Sequence, residues 1–312
     1  MEPVISPVPV ELLKTELTRD KFVRMTNNLN NEIYIFNHFN APYLTKEIGR
    51  LREESFRFAG GGTGLPFDLD DFDTGPNPYD QLIVWDPENE IILGGYRFFN
   101  CKTGDCIQNS QEVHLSTAHL FEFSERFKRD FMPHMIELGR SFVHPDYISG
   151  KVGRKGIYAL DNLWDGLGAL IIDNPSVNYF FGKVTMYPHF PKYGRDLILY
   201  FMNTHFPDTE DLVKPIVPLK YHHSLEELSQ AIQGVDYKED LKRMTSSLRL
   251  LGTNVPPLIN AYMGLSSSMR CFGTALNDEF GDVEETGILI TIPDIFEEKT
   301  KRHIESYLQQ FD

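Results

Sequence analysis

The sequence predicts a mixed, twisted α/β sheet flanked by helices, followed by an α+β extension at the C-terminal end. Three observations carry this. Met135–Val143 reads as a strand, and a Gly- and Lys-rich loop after it leads into an apolar helix that ends in a further strand at Tyr179–Met186, the order of a βαβ unit. Gln81–Trp85 and Ile91–Phe98 flank the turn Asp86-Pro87-Glu88-Asn89 as a hairpin. Between these, helices and strands interleave without the regular alternation of a doubly wound sheet.

The elements follow in order. Residues 1–20, with prolines at 3, 7 and 9, are expected to form an extended arm. Lys46–Phe58 has helical spacing, with Ile48, Leu51, Ser55 and Phe56 on one side, and the Gly60-Gly61-Gly62-Thr63-Gly64 loop ends it. An acidic loop follows at Asp68, Asp70, Asp71 and Asp73, then the hairpin. Helical pieces are expected over roughly Thr117–Asp130. The apolar helix spans Gly156 to about Ile172, with Trp164, Leu167, Leu170 and Ile171 on its buried face, and Asn174-Pro175 stops it. Arg195–His205 reads as a helix, Ser224-Leu225-Glu226-Glu227 as a capping box, and Lys238–Leu251 as an amphipathic helix. A turn or helix at Pro256–Leu265 and strands at Cys271–Asn277 and Gly287–Thr291 complete the chain. The expected organisation is an arm (1–20), a core (21–206) and an extension packed on it (207–312).

The net charge of −15 excludes nucleic acid as the main partner, because phosphate binding needs a concentrated basic surface. No apolar run approaches the roughly 20 residues of a membrane span. The start of the chain lacks the basic-then-apolar pattern of a secretory signal. Three cysteines without zinc spacing fit a reduced, cytoplasmic protein. The acidic loop lacks the twelve-residue calcium pattern, so no metal is expected. Two basic clusters stand out against this background. Arg126, Lys128 and Arg129 read first as a solvated face. Lys151, Arg154 and Lys155 lie where Gly153 and Gly156 let a loop enter a helix, a junction suited to an anion, without the P-loop or dinucleotide-binding glycine patterns.

Just before that loop stands Glu137-Leu138-Gly139-Arg140-Ser141-Phe142-Val143. A carboxylate and a guanidinium on a central apolar strand are costly to bury unless paired or functional, so a structural ion pair and a reactive site are both open. Gly139 is the candidate for a bulge that frees a backbone N–H.

This combination resembles the N-acetyltransferase-like (GNAT) superfamily. Its motifs resemble the branch of ornithine-lipid N-acyltransferases and their hemolysin-named relatives. The elements stand in family order: Arg52-x-x-x-Phe56, the Asp70-Asp71-Phe72-Asp73 loop, Gly94-Gly95-Tyr96-Arg97, Glu137–Val143, Leu163-Trp164-Asp165-Gly166-Leu167 and Pro256-Pro257-Leu258-Ile259. The Arg, Asp, Arg and Glu skeleton is similar to that of acyl-homoserine-lactone synthases as well. Phe142, where relatives commonly have Cys, and a longer loop at Gly75-Pro76-Asn77-Pro78 depart from the pattern.

The resemblance implies a GNAT-like fold and an enzyme that moves a fatty acyl group from a thioester to an amino-acid amine, giving a lyso-aminolipid precursor. The donor would be acyl carrier protein, its acyl group a long-chain 3-hydroxy one, or else acyl-CoA. Glu137 would be the base, aided by Arg140 and Ser141. Phe142, Val143, Lys151, Gly153, Arg154, Lys155 and Gly156 would hold the pantetheine and its phosphate. Arg52, Phe56, Asp70, Asp73 and Arg97 would shape the acceptor site, with Arg97 and Arg140 either anchoring the acidic loop or binding the acceptor. An acidic carrier protein and a small amino acid would be the partners, with a peripheral contact at the inner membrane for product release. The other readings are an acyl-CoA-dependent enzyme for another small amine and a non-catalytic acyl- or carrier-binding protein.

Overall fold

The computed structural model describes residues 1–104, 106–108, 112–148 and 158–309. The chain begins with α1 (Val10–Glu16), β1 (Phe22–Met25), β2 (Glu32–Phe36), α2 (Pro42–Ala59), the single turn α3 (Asp71–Thr74) and the hairpin β3 (Asp80–Asp86) and β4 (Ile91–Asn100). The short strands β5 (Ile107–Gln108), β6 (Glu112–Val113) and β7 (Phe121–Phe123) precede α4 (Glu125–Asp130), β8 (Met135–Val143), α5 (Pro145–Ile148), α6 (Ala159–Asp173) and β9 (Tyr179–Met186). Next come α7 (Lys192–His205), β10 (Val213–Pro215), α8 (Leu225–Ala231), α9 (Tyr237–Leu250), α10 (Pro257–Met263), β11 (Arg270–Asn277) and β12 (Val283–Thr291). The helical tail consists of α11 (Glu297–Lys299), a π-helical turn at Thr300–Glu305 and α12 (Ser306–Leu308).

Eight strands form one sheet in the order β1-β2-β3-β4-β8-β9-β12-β11. Among the described residues, β8 and β9 are its one parallel pair of neighbours, as the crossover through α6 requires. Residues 207–312, expected as an extension on the core, supply β11 and β12 to this sheet, with β12 pairing along the whole of β9. Helices cover one face: Leu163, Leu167 and Leu170 of α6 and Leu197, Ile198 and Phe201 of α7 pack against Leu82, Ile136 and Phe180. An aromatic cluster of Phe121, Phe127, Phe131, Phe181 and Phe272 fills part of the other. Burying each such side chain contributes about 1.5–3 kcal/mol.

The local elements form for the reasons the sequence offers. Pro42 opens α2 at a position where no N–H is needed, and Gly60 ends it in the left-handed conformation at φ 96°. Ser224 and Glu227 cap α8 reciprocally. Two expectations fail, the second in part. Val10–Glu16 in the N-terminal arm is helical, because the last proline falls just before its first turn. Of the helical pieces expected over Thr117–Asp130, Glu125–Asp130 forms, but Phe121-Glu122-Phe123 alternates buried and exposed and pairs with Val213–Pro215 as a strand; Ser124 then caps α4 by accepting from the Phe127 N–H.

Two irregularities shape the site. The β8–β9 pairing joins Met135–Leu138 to Tyr179–Gly182 and ends there, after which β8 stays with β4 and β9 with β12, so the two strands diverge. Opposite the break, β8 carries a bulge: Gly139 and Phe142 face Arg97 and Gly95, so two residues of β8 stand opposite one of β4. The expected hinge was Gly139. The residue that takes the left-handed conformation is Arg140, at φ 48°.

Candidate active site

The bulge decides where Arg140 points. In a regular strand Arg140 would share a face with Leu138 and Phe142. Instead its Nε lies 3.0 Å from the Asp68 carboxylate, and its guanidinium lies 4.2 Å over the Phe280 ring. Beside it, Arg97 reaches Asp70 at 2.7 Å and Asp73 at 2.9 Å. Arg52 holds Asp73 at 2.9 Å and Gln81 at 2.5 Å, and Gln81 donates back to Asp73 at 2.9 Å. Arg52 and Asp73 are fully buried. The sequence left Arg97 and Arg140 open between anchoring and binding. Arg52, Arg97 and Arg140 all pair with the acidic loop, and Arg97 and Arg140 also border the open space beside it.

That space is a polar cleft of about 1060 Å³, bordered by the acidic loop, the Val113–Phe123 segment and the Asn277–Phe280 turn. A second, more apolar pocket of about 280 Å³ opens where β8 and β9 part. Phe56, Ser141, Phe142 and Val143 line it, with Leu160 of α6 and the Pro256-Pro257-Leu258 segment. Arg140, Lys183 and Phe280 border both spaces. The two cavities therefore meet at a pair of cations and one aromatic ring.

The charges here are strongly perturbed. Burial raises the Asp73 carboxyl, but the Arg52 and Arg97 guanidiniums outweigh it and hold the group well below the usual carboxylate range. At Asp68 burial prevails over Arg140 and Arg52, so its carboxyl is raised. Burial lowers the Lys183 ammonium, which Glu285 opposes as its ion-pair partner.

Glu137 stands elsewhere. It is fully buried and does not line either space. Its carboxylate accepts from the Tyr79 hydroxyl, from the Ser116 N–H at 3.2 Å and hydroxyl at 3.3 Å, and from the Thr117 N–H at 3.1 Å. Three of these donors share Oε2, and the Thr117 N–H is on Oε1. The geometry is that of an anchor for the Leu115–Thr117 segment. Glu137 and Arg140, considered together as an ion pair from their spacing, have separate partners.

Lys151, Gly153, Arg154, Lys155 and Gly156 lie outside the described residues. The other basic cluster is spent on neighbours, with Arg126 at 3.0 Å from Glu210, Lys128 at 2.9 Å from Glu125 and Arg129 at 2.7 Å from Asp130. Among the described residues no three His, Cys, Asp or Glu side chains group in a way that could hold a metal ion, and no helix is long and apolar enough to cross a membrane. Sequence reasoning missed Lys183, His119, Phe280 and Glu285. A lysine inside the otherwise apolar Tyr179–Met186 strand was a usable signal. The other three come from distant segments, and nothing local marks them.

A family model described as an acetyltransferase (GNAT) domain matches residues 51–155, which include the second half of α2, the acidic loop, the hairpin and β8. A glycine N(alpha)-acyltransferase of Bacteroides thetaiotaomicron is 55% identical over 309 residues, 99% of this chain and 91% of its own length. A glycine N(alpha)-acyltransferase of Phocaeicola vulgatus is 52% identical over 312 residues, 99% of this chain and 95% of its own. Among solved structures, FeeM, an N-acyl amino acid synthase from uncultured soil microbes, overlaps 90% of this chain and 98% of its own at 11% identity and a TM-score of 0.39. The chain belongs to the same acyltransferase family as the Bacteroides and Phocaeicola proteins, and its fold is that of a GNAT enzyme.

Proposed function

We propose that the chain transfers a long-chain 3-hydroxy fatty acyl group from acyl carrier protein to the α-amine of glycine, giving a lyso-aminolipid precursor. The observation that carries this reading is the meeting of an apolar pocket and a polar cleft at Arg140 and Lys183. An acyl thioester and an amino acid need two such spaces that share one point. Glycine as acceptor is supported by what the two close relatives are named for. The hydroxy acyl group and the carrier protein rest on the motif resemblance to ornithine-lipid acyltransferases.

In this reading the pantetheine arm enters where β8 and β9 part, against Phe142 and Val143, and the free edge of β8 beyond Leu138 offers backbone N–H groups. One such donor aimed at the developing oxyanion is worth roughly 3–4 kcal/mol. Arg140 and Lys183 supply positive charge for the acceptor carboxylate. Phe56 packs edge-on to Phe280, at 5.1 Å, and closes the apolar side. Arg52, Asp70, Asp73 and Arg97 hold the acidic loop that forms the cleft wall. Lys151, Arg154 and Lys155, with Gly153 and Gly156, dock the acidic carrier and its phosphate. The chain acts in the cytoplasm, with a peripheral contact at the inner membrane where a single-chain product departs.

The test pairs purified enzyme with 3-hydroxyacyl carrier protein or the matching acyl-CoA and a panel of amino acids, with amides identified by mass spectrometry. N-acyl glycine formed preferentially from the carrier protein is the expected result. Preference for acyl-CoA or another amine would replace the donor or acceptor. No amide from any pairing would leave an acyl-binding protein.

A further inference from the structure

His119 lines the polar cleft and is exposed to it, in the turn between Leu115 and Leu120. Within the turn, the Ala118 N–H donates to the Leu115 carbonyl and the Leu120 N–H to the Thr117 carbonyl, both at 3.0 Å. The base of the turn is fixed to the sheet by the Ser116 and Thr117 N–H groups that donate to Glu137. As a neutral imidazole, the His119 ring has one nitrogen that donates and one that accepts. Around the same space stand Lys183 of β9, Arg140 of β8, Arg97 of β4, Asp68, Asp70 and Asp71 of the acidic loop, His114 before the turn, Glu122 of β7, Lys128 of α4 and Glu279 of the turn before β12, with Glu285 of β12 behind Lys183.

We propose that His119 is the proton acceptor of the acyl transfer, and that Glu137 is the positioning residue that fixes the turn carrying it. The assignment rests on the acyl-transfer reading above. Glycine loses its ammonium proton to solvent, and its neutral nitrogen attacks the thioester carbonyl to form the C–N bond. His119 takes a proton from the nitrogen of the tetrahedral adduct. The C–S bond then breaks, and His119 returns that proton to the departing sulfur, so one amide and one thiol result. Partial burial and the nearby Lys183 charge hold the imidazole below its ordinary value of 6.5, against the opposing pull of Glu285 and Glu279. The ring is therefore neutral, and able to accept, at pH 7.

The experiment measures kcat from pH 5 to 9 with saturating acyl thioester and glycine, by release of free thiol. The wild-type rate should fall in acid as His119 protonates, below pH 6.5. His119→Gln and His119→Ala should lower kcat by ~10²–10⁴-fold with little change in the KM of the donor, and should lose that acid limb. Added imidazole should restore rate to His119→Ala. Glu137→Gln should lower kcat while the acid limb stays, because the base is displaced rather than removed. Wild-type rate and pH profile in both His119 variants, or lost rate with the acid limb intact, would overturn the assignment. A wild-type enzyme that releases thiol with no amino acid would instead remove the acyl-transfer reading, and this assignment with it.

Discussion

Asp73 shows what a single buried charge does in this protein. Two guanidiniums and the Gln81 amide meet on its carboxylate, and no solvent reaches it. Its folded value lies below the ordinary 3.8, so the stabilisation is complete above pH 3.8 and disappears as pH falls through the lower folded value. Asp73→Asn leaves Arg52 and Arg97 buried without that charge and should cost roughly 3–5 kcal/mol at pH 7. Urea unfolding at pH 7 and pH 3 should show a smaller loss of stability in acid for the variant than for the wild type. Arg140 offers a second check, because its left-handed backbone conformation penalises any side chain. Arg140→Gly should be more stable to urea than Arg140→Ala by about 1 kcal/mol, while both lose the guanidinium and with it the acyl-transfer rate.

At the scale of elements, the divergence of β8 and β9 is the feature on which the donor pocket depends. Gly182 sits at the last paired position, where an added Cβ would lie 2.6 Å from the Leu138 carbonyl oxygen. Gly182→Ala should therefore push the strands apart one step early and cost about 1–3 kcal/mol. Its effect on kinetics should fall on the KM of the thioester more than on that of the amino acid, measured in the same assay. The β8–α6–β9 order was readable because a helix between two apolar strands has few other solutions. The β7 strand was not readable, because three residues next to a good helix start gain their pairing partner only from β10, some ninety residues on.

Across the whole molecule, the net charge of −15 opposes the approach of an acidic carrier protein, so any dock for it must be local. Replacing Lys151, Arg154 and Lys155 together by Glu should raise the KM for acyl carrier protein by on the order of tenfold at low salt. The two enzymes should converge as ionic strength rises. An unchanged KM would move the dock elsewhere. The last strands, β12 and β11, also bind the whole together: β12 runs beside β9 and carries Glu285 to Lys183. The part of the chain expected as an extension packed on the core therefore supplies two strands to the sheet and several lining residues, Phe280 and Glu285 among them.

By itself the sequence determined the mixed sheet, the strands at Met135–Val143 and Tyr179–Met186, most helix positions and the set of charged residues that converge near β8. These follow from periodicity, capping residues and punctuation by Gly and Pro, all of which act within a few residues. Only the tertiary structure decided which carboxylates each guanidinium pairs with and which of them also border open space. A one-residue bulge turns Arg140 toward the acidic loop, and a loop from another part of the chain takes up both oxygens of Glu137. Spacing along a strand fixes a side chain's face only while the pairing stays regular. His119 and Lys183 come from segments more than sixty residues apart, and the fold alone brings them to one cleft.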